Sequence, residues 1–330
     1  MKAVVTGSSG FIGGHLKEAL IRRGFEVRCL LRHGTYAHTV KSPPVKKYYI
    51  NYQDLSSLLE TEAFRGVDYI FHLAGVTKAV TLKSFRAGNL IPTANLLKAL
   101  QLKKINLKRF LLLSSTAAVG PAPSLHLPVD SSIKPRPVEF YGLSKLSAER
   151  ELKQYAPSIP FTIIRPASVY GPGDKDFLNF FKQVNAGLHL FCVKKSDLFS
   201  IIFVKDLVEG ILKAVSTDTT VGRTYLLSND LPICWEELYD IITELMNRTI
   251  WMKLNIPWTV LEYLGCLGDA YSILSRKKIL INTQKIKLAK AKFWICSNKQ
   301  AKSDFEFKPS YSIKQGLEET LQWYRQHRWL

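Results

Sequence analysis

Lys2-Ala3-Val4-Val5-Thr6-Gly7-Ser8-Ser9-Gly10-Phe11-Ile12-Gly13 stands at the start of the chain, and its reading decides the fold. Residues 2–6 are near-continuously apolar, as in a strand buried on both faces. Glycines follow at GxxGxxG spacing, and 11–23 carries helical periodicity that Gly24 ends. Gly7 permits a tight turn, Gly10 lets the backbone approach a pyrophosphate, and Gly13 lets the helix pack closely on the strand. The helix N-terminus then presents free N–H groups and a positive dipole end to phosphate. The stretch therefore predicts a dinucleotide site built from Gly7, Ser9, Gly10, Phe11, Ile12 and Gly13.

The alternation continues outward from this unit. Further strands are expected at 27–31, 47–50, 69–73, 110–114, 161–164 and 224–227, with helices between them such as 89–102 and 142–154. Apolar strands alternating with helices imply a parallel sheet covered on both faces, with ligands at the carboxyl ends of its strands. The fold class is α/β, a Rossmann doubly wound parallel sheet with a smaller, mainly helical C-terminal substrate lobe. Residues 1–166 and 201–228 are expected to form the NAD(P)-binding domain, and 167–200 and 229–330 an interleaved substrate lobe.

The end of the second strand selects between cofactors. An acid there would hold the ribose 2′-OH of NAD, whereas an Arg accommodates the 2′-phosphate of NADP. Here the strand ends in Leu31-Arg32-His33, and no Asp or Glu occurs between Arg28 and Asp54. NADP is the expected cofactor, with Arg32 its phosphate contact and NAD the alternative. Asp54-Leu55 follows the third strand, where Asp54 either contacts the adenine edge or caps the next helix. Leu73, Ala74 and Gly75 end the fourth strand with small residues against which a cofactor can lie.

Tyr141-Gly142-Leu143-Ser144-Lys145 is a YxxxK pair, and positions i and i+4 share one helix face. A phenol of ordinary pKa about 10 beside an ammonium is a candidate acid or base. Ser114-Ser115-Thr116 ends the fifth strand with three hydroxyls at the same sheet edge, able to bind the oxygen whose proton Tyr141 moves.

Composition narrows the classes. Lys and Arg number 46 against 27 acids, a net +19 that favours anionic ligands. Part of this charge, from Arg276, Lys277, Lys278, Lys285, Lys287, Lys290, Lys292, Lys299 and Lys302, crowds one C-terminal stretch. No nucleic-acid-binding motif accompanies it, so no nucleic-acid partner is expected. The five cysteines form no CxxC pair, which argues for reduced thiols in a cytoplasmic protein and against a metal site. No apolar run long enough to span a bilayer occurs. The nearest, 258–274, holds Glu262 and Asp269 and reads as a partly buried helix or a peripheral membrane contact.

Taken together, these stretches resemble the extended short-chain dehydrogenase/reductase family, the NAD-dependent epimerase/dehydratase group. The resemblance also rests on Asn89-Leu90 with Asn95-Leu96-Leu97, Arg165-Pro166 with Tyr170-Gly171-Pro172-Gly173, and Phe203-Val204-Lys205-Asp206-Leu207. It implies that Tyr141 is the catalytic acid/base, that Lys145 lowers its pKa, that Thr116 binds the reacting oxygen and that Asn89 supports the active-site backbone. It adds Ser114, Pro166, Ser168 and Val169 to the cofactor contacts, and a homodimer through the helices carrying Asn89 and Tyr141.

Departures from the family's patterns narrow the reaction. Thr116 is followed by Ala117-Ala118 where dehydratases resemble one another in a Thr-Asp-Glu run. Arg165-Pro166-Ala167-Ser168 replaces the epimerases' Arg-Tyr-Phe-Asn, and 198–202 holds no Arg. The Arg-Pro form is similar to dihydroflavonol-reductase-like and 3β-hydroxysteroid-dehydrogenase-like members. The expected activity is hydride transfer between NADP(H) and a carbonyl or secondary alcohol of a small, apolar substrate. The alternatives are a sugar-nucleotide epimerase with bound NAD(P) and a non-catalytic cofactor-binding protein.

Overall fold

The apolar runs become six strands in chain order, β1 (Lys2–Thr6), β2 (Glu26–Arg32), β3 (Lys46–Ile50), β4 (Tyr69–His72), β5 (Arg109–Leu113) and β6 (Phe161–Pro166), joined by a seventh, Arg223–Leu227. In this computed structural model, which describes residues 1–34, 45–191, 194–275 and 283–330, every pair in the sheet is parallel. The spatial order is β3-β2-β1-β4-β5-β6, with Arg223–Leu227 outside β6. The chain therefore reverses direction across the sheet between β1 and β4, and that switch point is where such folds bind ligands. Cys192, Arg276, Lys277, Lys278 and the side chain of Lys285 lie outside what is described.

Strand alternation sorts the core into two faces. Val5, Cys29, Leu111 and Ile164 point to one, where α1 (Phe11–Arg22) contributes Leu16 and Leu20. Val4, Leu30, Ile70 and Leu112 point to the other, which α2 (Leu55–Glu60), α3 (Leu82–Leu102) and α4 (Phe140–Gln154) cover through Leu58, Leu96, Leu100 and Leu152. Each such side chain, fully buried, contributes roughly 1.5–3 kcal/mol. Helix α3 starts seven residues before the expected 89, because Thr81 caps it by accepting from Ser84 N at 3.1 Å.

Beyond β6 run α5 (Leu178–Asn185), α6 (Val204–Ser216), α7 (Trp235–Met246), α8 (Trp258–Ser275), α9 (Thr283–Lys290), α10 (Lys299–Phe305) and α11 (Ile313–Gln326). Helix α6 returns to the first face of the sheet through Leu207 and Ile211. Ala301 and Phe305 of α10, with Phe307, join it there, although the sequence reading put this stretch in the substrate lobe. A separate aromatic core holds α5, α7 and α11 together through Phe177, Phe181, Tyr239 and Tyr324. Trp235 stacks on Phe199 within that core, centroids 4.1 Å apart, whereas Trp251 is exposed. No helix among the described residues is long and apolar enough to cross a membrane.

Candidate active site

The site begins where β1 ends. Thr6 Oγ1 accepts hydrogen bonds from Leu73 N (3.1 Å) and Ala74 N (3.0 Å) and bonds His72 Nδ1 at 2.8 Å. His72 Nε2 continues to Thr93 Oγ1 at 3.0 Å. Burial, with Lys145 second, pushes the His72 pKa down to about 3, so the imidazole is a neutral link tying β1, β4 and α3.

The three glycines separate by what surrounds them. Gly7 has φ +72°, and a Cβ there would lie 2.7 Å from Ala74 N. A Cβ on Gly13 would fall 2.1 Å from Gly7 O. Both are demanded by packing inside the protein. Gly10 is exposed, and its Cβ would meet only Gly7 O, at 3.3 Å. Its open side therefore faces the cleft, where a ligand's backbone-hugging phosphates would need the room. Gly10 is also the N-cap of α1 and supplies no side-chain cap, leaving the first N–H groups of α1 for an anion.

The cleft between the sheet edge and the smaller lobe encloses about 2230 Å³. Of the residues expected at the site, Gly7, Ser9, Gly10, Phe11, Ile12, Gly13, Leu73, Gly75, Ser114, Tyr141, Lys145, Pro166, Ser168 and Val169 line it. Ala74 packs behind, against the second face of the sheet. Asp54 caps α2 by accepting from Ser56 N at 3.0 Å, and neither it nor Leu55 lines the cleft. Arg32 is exposed at the carboxyl end of β2, outside the cleft lining. Asn89 also stands behind the site. Its Oδ1 accepts from Val76 N at 2.8 Å, and its Nδ2 donates to Val76 O (3.1 Å) and Ser144 Oγ (2.8 Å). One side chain thus fixes the loop after β4 to α4.

Helix α4 presents the proton-handling pair. Glu139 caps it by accepting from Tyr141 N and Gly142 N. The hydroxyl of Ser115 lies beside the Tyr141 phenol and stabilises its charged form, but burial dominates and pushes the pKa up to about 12. The spacing had suggested that Lys145 would lower this pKa. Instead, Lys145 Nζ donates to Leu113 O at 2.6 Å, and burial pushes its own pKa down to about 8, opposed by the Glu149 carboxylate. The phenol is accordingly held in its protonated form across the neutral range, and the ammonium is charged there.

Thr116 starts a short 3-10 turn (Thr116–Ala118), which Ser115 caps by accepting from Ala117 N at 3.1 Å, and does not line the cleft. Ser115, the neighbouring hydroxyl, takes the place beside Tyr141. The Ser-Ser-Thr run announced a hydroxyl here but not which of the three faces inward. Ser114 points the other way and donates to Glu149 Oε1. Glu149 also receives Arg165 Nε at 2.9 Å and Nη2 at 2.6 Å, so a buried ion pair lies behind Lys145. On the far side of the cleft stand Trp323, His327 and Trp329, none of which the sequence reading placed at the site.

The model of the NAD-dependent epimerase/dehydratase family matches residues 3–227. A ketoreductase of Stigmatella aurantiaca, acting on 4-hydroxy-2-methyl-3-oxo-4-farnesyl-3,4-dihydroquinoline-1-oxide, is 29% identical over 286 residues, 82% of this chain and 80% of its own length. The decarboxylating sterol-4-alpha-carboxylate 3-dehydrogenase of Mus musculus is 26% identical over 97% of this chain and 90% of its own. The crystal structure of UDP-glucose 4-epimerase from Thermotoga maritima with UDP-glucose superposes with a TM-score of 0.80 at 20% identity, covering 99% of this chain and 100% of that one. At that identity the likeness shows the fold.

Proposed function

Because the chain belongs to the NAD-dependent epimerase/dehydratase family, we propose that it is an NADP(H)-dependent oxidoreductase acting on a carbonyl or secondary alcohol of a small, apolar substrate. The observation that carries this reading is the half-buried Tyr141 side chain lining the same cleft as the glycine loop, with Ser115 beside it. The open side of Gly10 and the uncapped start of α1 fit a dinucleotide's phosphates, and Leu73, Gly75, Pro166, Ser168 and Val169 line its path to Tyr141. When bound, that cofactor supplies or accepts the hydride.

The chain's own residues handle the proton. In the reducing direction Ser115 holds the carbonyl oxygen, and Tyr141 Oη gives its proton to that oxygen as the C=O π pair moves onto it. Ser115, beside the phenol, stabilises the phenolate left behind, Lys145 one helical turn on supplies positive charge to the same cleft, and solvent restores the proton. Asn89 keeps the loop after β4 and helix α4 in register without touching the reactants. The family position of the reacting hydroxyl falls on Thr116, but the placement of Ser115 against the phenol favours Ser115.

The test is a carbonyl screen with purified protein, following loss of reduced-nicotinamide absorbance with NADPH and with NADH. Substrate-dependent consumption supports the proposal. A cofactor that stays bound through purification, with interconversion of a sugar nucleotide and no net redox change, would replace it with the epimerase reading. That second reading is favoured by Lys175 and Lys182 in the cleft lining, cations suited to a diphosphate.

Cofactor choice rests on Arg32. It is exposed where β2 ends, with His33 next to it, and no carboxylate is available there to hold a ribose 2′-OH. The Arg32→Ala variant should bind NADPH about tenfold or more weakly, as expected for loss of a charge-assisted phosphate contact, and NADH almost unchanged. Fluorescence titration with both cofactors reads this. Equal loss for the two, or none for either, would remove Arg32 from the 2′-phosphate site.

A further inference from the structure

Helix α8 turns large apolar side chains to solvent. Toward α9, Glu262 pairs with Lys290 while its side chain stays 46% exposed, and Asp269 accepts from Thr283 N and Oγ1. Leu261, Gly265 and Gly268 are buried on that same side. The face turned to solvent holds Val260, Tyr263, Leu264 and Leu267, between 40% and 67% exposed. The one charged side chain exposed along 259–271 is Glu262, and Lys290 pairs with it. A surface helix ordinarily does the reverse, and contiguous exposed apolar surface marks a docking site.

Charge says what the face docks on. Lys287, Lys290 and Lys292 are exposed on and just after α9, the helix packed against α8, and Lys253 is exposed just before α8. The whole chain carries +19. A second copy meeting this face about a two-fold axis would bring the same lysines against one another. A surface with its own phosphates would not. We propose that α8 is a peripheral membrane-binding helix, which lies in the plane of an anionic bilayer with Val260, Tyr263, Leu264 and Leu267 at the headgroup–acyl boundary and Lys287 and Lys292 against lipid phosphates. Interfacial helices of this kind combine buried apolar area with attraction to anionic lipid and do not span. The inference is independent of the reaction assigned to the cleft.

The experiment is co-sedimentation of the full chain with vesicles of mixed phosphatidylcholine and phosphatidylserine, against phosphatidylcholine alone, at low and high salt. The protein should pellet with the mixed vesicles and lose most of that binding in salt. Leu264→Asp with Leu267→Asp, both exposed, should lower the partition about tenfold or more. Lys287→Glu with Lys292→Glu should lower it at least about tenfold on mixed vesicles only. Thermal melts confirm that each variant is folded. Failure to pellet, or unchanged binding of either double variant, overturns the proposal. So does a concentration-dependent dimer that the Asp pair abolishes in a protein that ignores vesicles.

Discussion

Replacing Tyr141 with Phe should lower kcat by about 10²–10⁴-fold, the range for losing one positioned proton donor, while NADPH affinity stays within about threefold. The split follows from the geometry. The phenol faces the cleft, but its ring is held by α4 and by Phe85, 6.1 Å away between centroids, so Phe keeps the packing and loses only the hydroxyl. Asn89 and Glu139 hold the backbone around it by contacts that do not involve Oη. The variant should therefore fold, melt normally and bind cofactor. A Ser115→Ala variant should act on the same step, reducing kcat with less effect on KM. Thr116→Ala should be milder, because that side chain does not line the cleft. Steady-state kinetics on whichever carbonyl the screen returns, with cofactor titration in parallel, separates these outcomes. Full activity in Tyr141→Phe would exclude Tyr141 as the proton donor.

How far the sequence reached depended on how local the signal was. β1, the glycine loop and α1 form one contiguous stretch, and its period, glycine spacing and buried run agree, so the fold could be read from the first two dozen residues. Tyr141 and Lys145 were legible because helical spacing alone brings them to one face. The choice between Ser115 and Thr116 was not, because it turns on a 3-10 turn that twists the chain after β5. The Tyr141 pKa was read from its neighbour's charge, yet burial, a property of the assembled fold, outweighs that neighbour. Trp323, His327 and Trp329 reach the cleft only because α11 packs across the smaller lobe on Tyr324 and Leu321, a long-range arrangement without a sequence period. Residues 299–307 looked like part of that lobe because they follow it in the chain, but Phe305 and Phe307 find their apolar partners on the sheet.

The buried pair behind the site should respond more sharply than any surface charge. Glu149 and Arg165 are 1% and 3% exposed at their side chains, and the guanidinium meets the carboxylate through two nitrogens. Arg165→Leu leaves a buried carboxylate whose remaining described hydrogen-bond partner is Ser114, and an uncompensated buried charge costs about 3–5 kcal/mol. The melting temperature should fall on the order of 10 °C. The double variant Glu149→Leu with Arg165→Leu should recover much of that, since a buried pair exchanged for apolar side chains is often near neutral. Melts of the wild type, both singles and the double form the cycle, and additive losses would show that the two residues do not act as a pair.

The double variant, however stable, should still be impaired, because Glu149 is also the charge that raises the Lys145 pKa against burial. The folded value of about 8 lies below the roughly 10.4 of a free lysine. Below about pH 8 both states of the protein carry this proton, and the cost of charging a buried amine is fully present. Between about 8 and about 10.4 the unfolded chain binds more protons than the folded one, so the Lys145 contribution to stability rises with pH. The ammonium is thus kept at neutral pH against its effect on stability, which fits a group whose charge is needed beside Tyr141. With Glu149→Gln the pKa should fall further, and the alkaline limb of the kcat/KM profile should move to lower pH. An unmoved limb would mean that Lys145 ionisation does not control turnover.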